Sequence, residues 1–330
     1  MINQHNLMSI DAIQRLIHSD MQKINETILA QLKSDVALIN QLGYYIIQSG
    51  GKRIRPMIAI LAARALDCHG ELPVTCATFI EFIHTATLLH DDVVDESQLR
   101  RGNPTANAEF GNAASVLVGD FIYTRAFQLM TQLDSLRILK IMSDATNVIA
   151  EGEVQQLMNV NDPDTTEENY MNVIYGKTAR LFEAATHCAA ILAQATEQQE
   201  KALQNYGRYL GTAFQLVDDI LDYSANAQEL GKNVGDDLAE GKPTLPLLHA
   251  MHNASDSQAL LIRNAIKEGG KRDILNDVLA IMAEHNSLDY AMLRAKEEAQ
   301  KAVDSIMILP DSEYKQALIS LAYLSVDRNY

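Results

Sequence analysis

Across residues 9–33 the chain places Ile10, Ile13, Leu16, Ile17, Met21, Ile24, Ile28 and Leu32 three and four residues apart. That spacing puts them on one side of an α-helix. The same period predicts helices over 35–49, 56–66, 74–98, 113–133, 135–159, about 165–194 and 198–224, and a further run of helices from residue 246 onward. Gly50-Gly51 stops the second helix and Pro56 is placed to open the third. Arg100-Arg101-Gly102-Asn103-Pro104 breaks the helix that ends near residue 98. Thr165-Thr166-Glu167-Glu168 reads as a capping box. Gly152 falls inside a helical pattern and weakens it. No stretch alternates long enough for a useful strand. Residues 225–245 are the longest irregular stretch, rich in Gly, Asn, Asp and Lys, and read as a functional flap. With no repeat and no linker, the pattern predicts one all-α domain over residues 1–330, a bundle of long helices.

Composition supports long helices. The chain has only 16 glycines and 7 prolines in 330 residues, well below the roughly 12% that average proteins devote to the two. A net charge of −16 argues against nucleic acid and anionic lipid as partners. No uninterrupted apolar run of about 18 residues marks a transmembrane segment, and the charged N-terminal stretch has no signal-peptide core. Cys68, Cys76 and Cys188 are odd in number and form no C-x-x-C pair, as expected of buried thiols in a reducing cytoplasm.

The chemistry concentrates in Leu89-His90-Asp91-Asp92-Val93-Val94-Asp95. On a helix Asp91 and Asp95 lie about 40° and one turn apart, and two such carboxylates repel unless a cation sits between them. A near copy follows at Val217-Asp218-Asp219-Ile220-Leu221-Asp222. Oxygen-only ligands suit Mg²⁺, which takes one or two protein carboxylates and completes its octahedron with water and substrate phosphates. Cations that suit phosphate stand at the junctions: Lys52, Arg53, Arg55, Arg100, Arg101, Lys232 and Lys242. His84, seven residues before Asp91, shares its helix face and is read as a phosphate contact. Gly176-Lys177-Thr178 is not a P-loop, because Met171 stands where that motif needs glycine and no strand precedes it. Lys177 and Thr178 still suit a diphosphate from a helix wall. Glu81-Phe82-Ile83-His84 is one Glu-x-x-His, whereas a di-iron bundle needs two.

These segments together resemble the trans-polyprenyl diphosphate synthase family, in particular its long-chain members that make quinone side chains. The resemblance runs through Gly50-Gly51-Lys52-Arg53-Ile54-Arg55-Pro56, the first aspartate motif with Arg100-Arg101-Gly102, Gly176-Lys177-Thr178, Phe214-Gln215 with the second motif, and the flap residues Gly231-Lys232 and Gly241-Lys242-Pro243-Thr244. It implies a homodimeric all-α enzyme with a central cavity. It implies Mg²⁺ held by Asp91 and Asp95 on one side of an allylic diphosphate and by Asp218 on the other, with Asp219 and Asp222 as further ligands or as residues behind them. Asp91, Asp95, Asp218 and Lys177 are the expected catalytic groups. Arg100, Lys177, Thr178, Gln215, Lys232 and Lys242 are expected around the allylic diphosphate. Lys52, Arg55, His84 and Arg101 are expected around isopentenyl diphosphate.

The implied reaction is head-to-tail condensation of isopentenyl diphosphate onto an allylic diphosphate such as farnesyl diphosphate, with octaprenyl diphosphate the expected product. In short-chain relatives an aromatic residue four or five positions before the first motif blocks the pocket. Ala86 and Thr87 stand there and leave it open, and Met130 and Met142 are candidates for its floor. The alternatives are a shorter-chain synthase and a non-catalytic subunit of a heteromeric one. A terpene cyclase shares the ionisation chemistry but has no use for the isopentenyl site.

Overall fold

The structure, a computed structural model, describes residues 7–48, 50–100, 102–224 and 234–327. Among these residues the chain is all-α except for one hairpin of two-residue strands. Arg101 and Lys232, two of the expected diphosphate ligands, lie outside the described residues, as do residues 225–233 of the expected flap. The chain forms two compact units, one from Met1–Thr146, Leu181–Gly207 and Ser305–Leu321, the other from Asn147–Arg180, Arg208–Asp304 and Ala322–Tyr330.

The first unit opens with α1 (Ile10–Leu16), α2 (His18–Gln31), α3 (Ala37–Gln48), α4 (Ile54–Ala65) and α5 (Glu71–Val94). The hairpin of β1 (Leu99–Arg100) and β2 (Asn103–Pro104), α6 (Ala106–Phe110) and α7 (Asn112–Thr131) follow. Helix α5 is the axis of this unit and packs on α7, α4 and α2. Phe79, Ile80, Phe82 and Ile83 are buried on it, each such side chain contributing about 1.5–3 kcal/mol on leaving water. By length and composition α5 is apolar enough to cross a membrane, but 72% of its most apolar window is buried inside the protein. Its hydrophobicity is therefore that of a core helix. Between α7 and α5 the buried Ser115 hydroxyl donates to the Leu89 carbonyl at 2.9 Å, just before the first aspartate motif.

Helix α8 (Leu136–Asn159) begins in the first unit and continues into the second. There α9 (Glu167–Ile174) passes through a π-helical turn (Tyr175–Ala179) into α10 (Arg180–Leu192). Helix α11 (Glu197–Asp222) enters the second unit at Arg208, and α12 (Asp236–Ala239), α13 (Leu245–Asn253), α14 (Asp256–Glu268), α15 (Leu275–Glu284) and α16 (Ser287–Ser305) build the rest, before α17 (Glu313–Val326). Ala213, Leu216, Val217 and Ile220 recur at helical spacing on α11 and pack with Tyr170 and Ile174 of α9, Leu245 and Leu248 of α13, and Ala291 and Ala295 of α16. This cluster supports the second aspartate motif from behind.

The structure differs from the hydrophobic pattern at four places. The first expected helix is two, broken at Ile17, yet Ile13, Ile17 and Ile24 remain buried through the break, so the period carries no trace of it. Helix α4 begins at Ile54, with Pro56 inside the first turn, where its missing N–H costs nothing. The expected helix over 165–194 contains the π-turn. Its cap is Thr166, whose hydroxyl accepts from the Asn169 N–H at 3.1 Å, one residue past the expected capping box.

Candidate functional site

The first motif closes α5, and its carboxylates fall into two kinds. Asp91 and Asp95 are half-buried, whereas Asp92 is buried. Asp92 accepts from Arg100 Nε at 2.9 Å and Nη2 at 2.7 Å, and its backbone carbonyl accepts from Ser97 N–H at 2.9 Å and Asn107 Nδ2 at 3.1 Å. The turn leaving the helix is thus fastened to the middle aspartate, and the β1–β2 hairpin carries Arg100 to it. Burial alone would lower the Arg100 pKa, but the hydrogen bond and charge of Asp92, with Asp91 and Asp95 adding to the field, raise it above its ordinary value. His90 turns toward α7, with Nε2 3.2 Å from the Val116 carbonyl and 3.3 Å from Asp120.

Upstream on the same unbroken helix, His84 is half-buried, and the Thr87 hydroxyl donates to its carbonyl at 2.8 Å. Lys52 is exposed in the segment before α4. The Arg55 guanidinium lies 4.6 Å from the centroid of the buried Phe182 ring, in cation–π contact. Between these two, Arg53 forms an ion pair with Glu81 of α5.

The second motif closes α11. Asp218 is half-buried; Asp219 and Asp222 are buried. Asp219 Oδ2 accepts from the Tyr170 hydroxyl at 2.5 Å and Oδ1 from Gln215 Nε2 at 2.7 Å. Gln215 Oε1 in turn accepts from the Thr178 hydroxyl at 2.8 Å. Burial, and then the charge and hydrogen bond of Asp219, push the Tyr170 pKa well above its ordinary value, so it remains a donor. Asp222 has a different task. Its Oδ2 accepts from the Asp237 N–H at 3.0 Å and its backbone carbonyl from the Gly235 N–H at 2.8 Å. It caps the first turn of α12 from outside, a role its side chain fills because N-terminal helix amides seek acceptors.

Two close approaches place the lysines. Where α8 meets the π-turn, Gly152 faces Gly176: a methyl added to Gly152 would lie 2.8 Å from the Lys177 nitrogen and 3.0 Å from the Gly176 carbonyl carbon. The crossing explains a glycine inside a helical pattern. It sets Lys177 Nζ 2.8 Å from Glu153, the next residue on α8. π-Turns of this kind recur at functional sites. Gly241, at φ +69°, lies against Asn161, whose N–H donates to the Gly241 carbonyl at 2.9 Å. This fixes the residue before Lys242, which pairs with Glu240.

The expected pocket lining fares unevenly. Ala86 and Met142 are fully buried and Met130 nearly so. Of the four positions, only Thr87 is half-buried. Periodicity also missed Asn107, Glu153 and Tyr170. Each meets the site from a distant part of the chain, and a buried tyrosine or a polar helix position carries no motif of its own.

Among the described residues no three His, Cys, Asp or Glu side chains converge as a ready metal cluster. The carboxylate-only donor set of the two motifs suits an ion that takes most of its coordination from water and phosphate, as Mg²⁺ does.

A family model described as polyprenyl synthetase matches residues 36–282. The chain is 76% identical over 329 residues to octaprenyl diphosphate synthase of Haemophilus influenzae, covering 100% of both chains. It is 65% identical over 322 residues to octaprenyl diphosphate synthase of Escherichia coli, covering 98% of this chain and 100% of that one. A solved polyprenyl synthase of Caulobacter crescentus, complexed with calcium and isoprenyl diphosphate, superposes with a TM-score of 0.93 at 42% identity, covering 98% of each chain.

Proposed function

We propose that this chain, which belongs to the polyprenyl synthetase family, is a long-chain trans-polyprenyl diphosphate synthase that makes octaprenyl diphosphate for a quinone side chain. The observation that carries this is the pair of aspartate motifs. Each ends a long helix, has its second aspartate tied into the protein, and has cations on the segments beside it. The high identity to two octaprenyl diphosphate synthases over nearly the whole chain supports the eight-unit product.

In the proposed reaction the isopentenyl double bond attacks C1 of the allylic substrate. The C1–O bond breaks, diphosphate leaves with the electron pair, and a proton is lost from C2 of the isopentenyl unit. Asp91, Asp95 and Asp218 hold Mg²⁺, with Asp219 and Asp222 behind them. When bound, Mg²⁺ supplies positive charge to the diphosphate oxygens on which negative charge develops. Arg100, Lys177, Thr178, Gln215, Lys232 and Lys242 bind the allylic diphosphate, and the cationic groups among them stabilise the leaving group directly. Lys52, Arg55, His84 and Arg101 hold isopentenyl diphosphate. The apolar walls of α5 and α11 keep water from the allylic cation.

In this reading the two units act as one catalytic domain, and the enzyme is a homodimer, for which the exposed Leu117 and Leu136 supply apolar surface. Three free cysteines support a reducing cytoplasmic setting. The test is turnover of the purified chain with Mg²⁺, farnesyl diphosphate and isopentenyl diphosphate, followed by reversed-phase chromatography of the dephosphorylated products. A single eight-isoprene product is expected. Shorter products would mark a shorter-chain synthase, and no product a non-catalytic subunit. In the same assay Ala86→Phe and Thr87→Phe are each expected to shorten the product.

A further inference from the structure

We infer that Arg53 and Glu81, neither of which is assigned a ligand, are the pair that positions the isopentenyl diphosphate site; the inference rests on the function proposed above. Arg53 stands between Lys52 and Arg55 with φ 49° and ψ 38°, a left-handed conformation that costs any residue with a Cβ. It precedes α4, and its guanidinium pairs with Glu81 of α5. The two side chains are 15% and 8% exposed. A strained backbone persists only where surrounding contacts over-determine it, and this ion pair is one of those contacts.

The pair lies where the site needs a fixed frame. Glu81 precedes His84 by three residues on α5, so both occupy one helix face. The carboxylate that fastens the Lys52–Arg55 segment is thus a neighbour of the third expected ligand. Arg55 is held separately over Phe182. Glu81 also neutralises Arg53 where three successive cations would otherwise raise one another's energy. The sharp turn at Arg53 and its tether to α5 therefore set where Lys52 and Arg55 stand relative to His84.

Arg53→Gly, Glu81→Gln and Arg53→Lys separate positioning from folding. Glycine takes the left-handed turn without strain, so Arg53→Gly removes the ion pair and keeps the backbone. Arg53→Gly and Glu81→Gln are each expected to raise KM for isopentenyl diphosphate about tenfold, the loss of one charge-assisted contact. KM for farnesyl diphosphate stays within about twofold, Arg53→Lys recovers most of the loss, and the double variant is no worse than the single ones. Calorimetric titration with isopentenyl diphosphate alone should give the same shift without turnover. An unchanged affinity for isopentenyl diphosphate in Arg53→Gly, or equal shifts in both KM values, overturns the inference. A wild-type chain that neither binds isopentenyl diphosphate nor makes product overturns the proposed function, and this inference with it.

Discussion

At the ends of α5 and α11 the chain presents three carboxylates at the same spacing, and their surroundings use them differently. The first aspartate of each motif is half-buried: Asp91 on one helix, Asp218 on the other. The second is buried and hydrogen-bonded in both, Asp92 to Arg100 and Asp219 to Tyr170 and Gln215. The third positions part company. Asp95 stays half-buried at the end of α5, while Asp222 is buried and caps α12. The first motif thus leaves its first and last carboxylates half-buried. The second leaves its first half-buried and gives its last to the start of α12. Spacing alone does not assign function; the partner that each carboxylate meets does.

The largest effects fall on the first positions. Asp91→Asn and Asp218→Asn should each lower kcat by about 10²–10³-fold, the range for losing one group that stabilises developing charge. Their thermal unfolding midpoints should stay near that of the wild type. A large loss in one variant only would make the motifs unequal at the position where they look most alike.

Next come the second positions, where the expected cost is to stability. Asp219→Ala leaves the buried Tyr170 hydroxyl without its acceptor and should cost about 3 kcal/mol in urea unfolding. Asp92→Ala should cost about 1 kcal/mol, because the Arg100 side chain, 38% exposed, can turn to water. The reverse order would contradict the hydrogen-bond assignment. Tyr170→Phe is milder still: it removes one donor, costs about 1 kcal/mol, and lowers kcat only a few-fold.

Much of this was legible in the sequence, because helix period and motif spacing are local. His84 and Asp91 do lie on one continuous helix, with Asp95 as its C-cap where the pattern runs the helix on to about residue 98, and the second motif does close another. The partners were not legible. Tyr170 reaches Asp219 from 49 residues away, and Arg53 reaches Glu81 across 28. Gly152 weakens a helix by propensity, and only the crossing with Gly176 gives it a purpose. The apolar positions around the π-turn keep their period, so nothing in the pattern announces an extra residue in the turn that carries Lys177.

The most direct test of the unequal third positions is the Mg²⁺ dependence of turnover in Asp95→Ala and Asp222→Ala, read beside amide hydrogen exchange of residues 235–239. Asp95→Ala should raise the half-saturating Mg²⁺ concentration about tenfold or more and leave exchange at α12 as in the wild type. Asp222→Ala should raise the Mg²⁺ requirement less than Asp95→Ala does and speed exchange at the Asp237 amide, which loses its acceptor. An equal rise in Mg²⁺ requirement for both variants, with unchanged exchange at Asp237, would contradict the account.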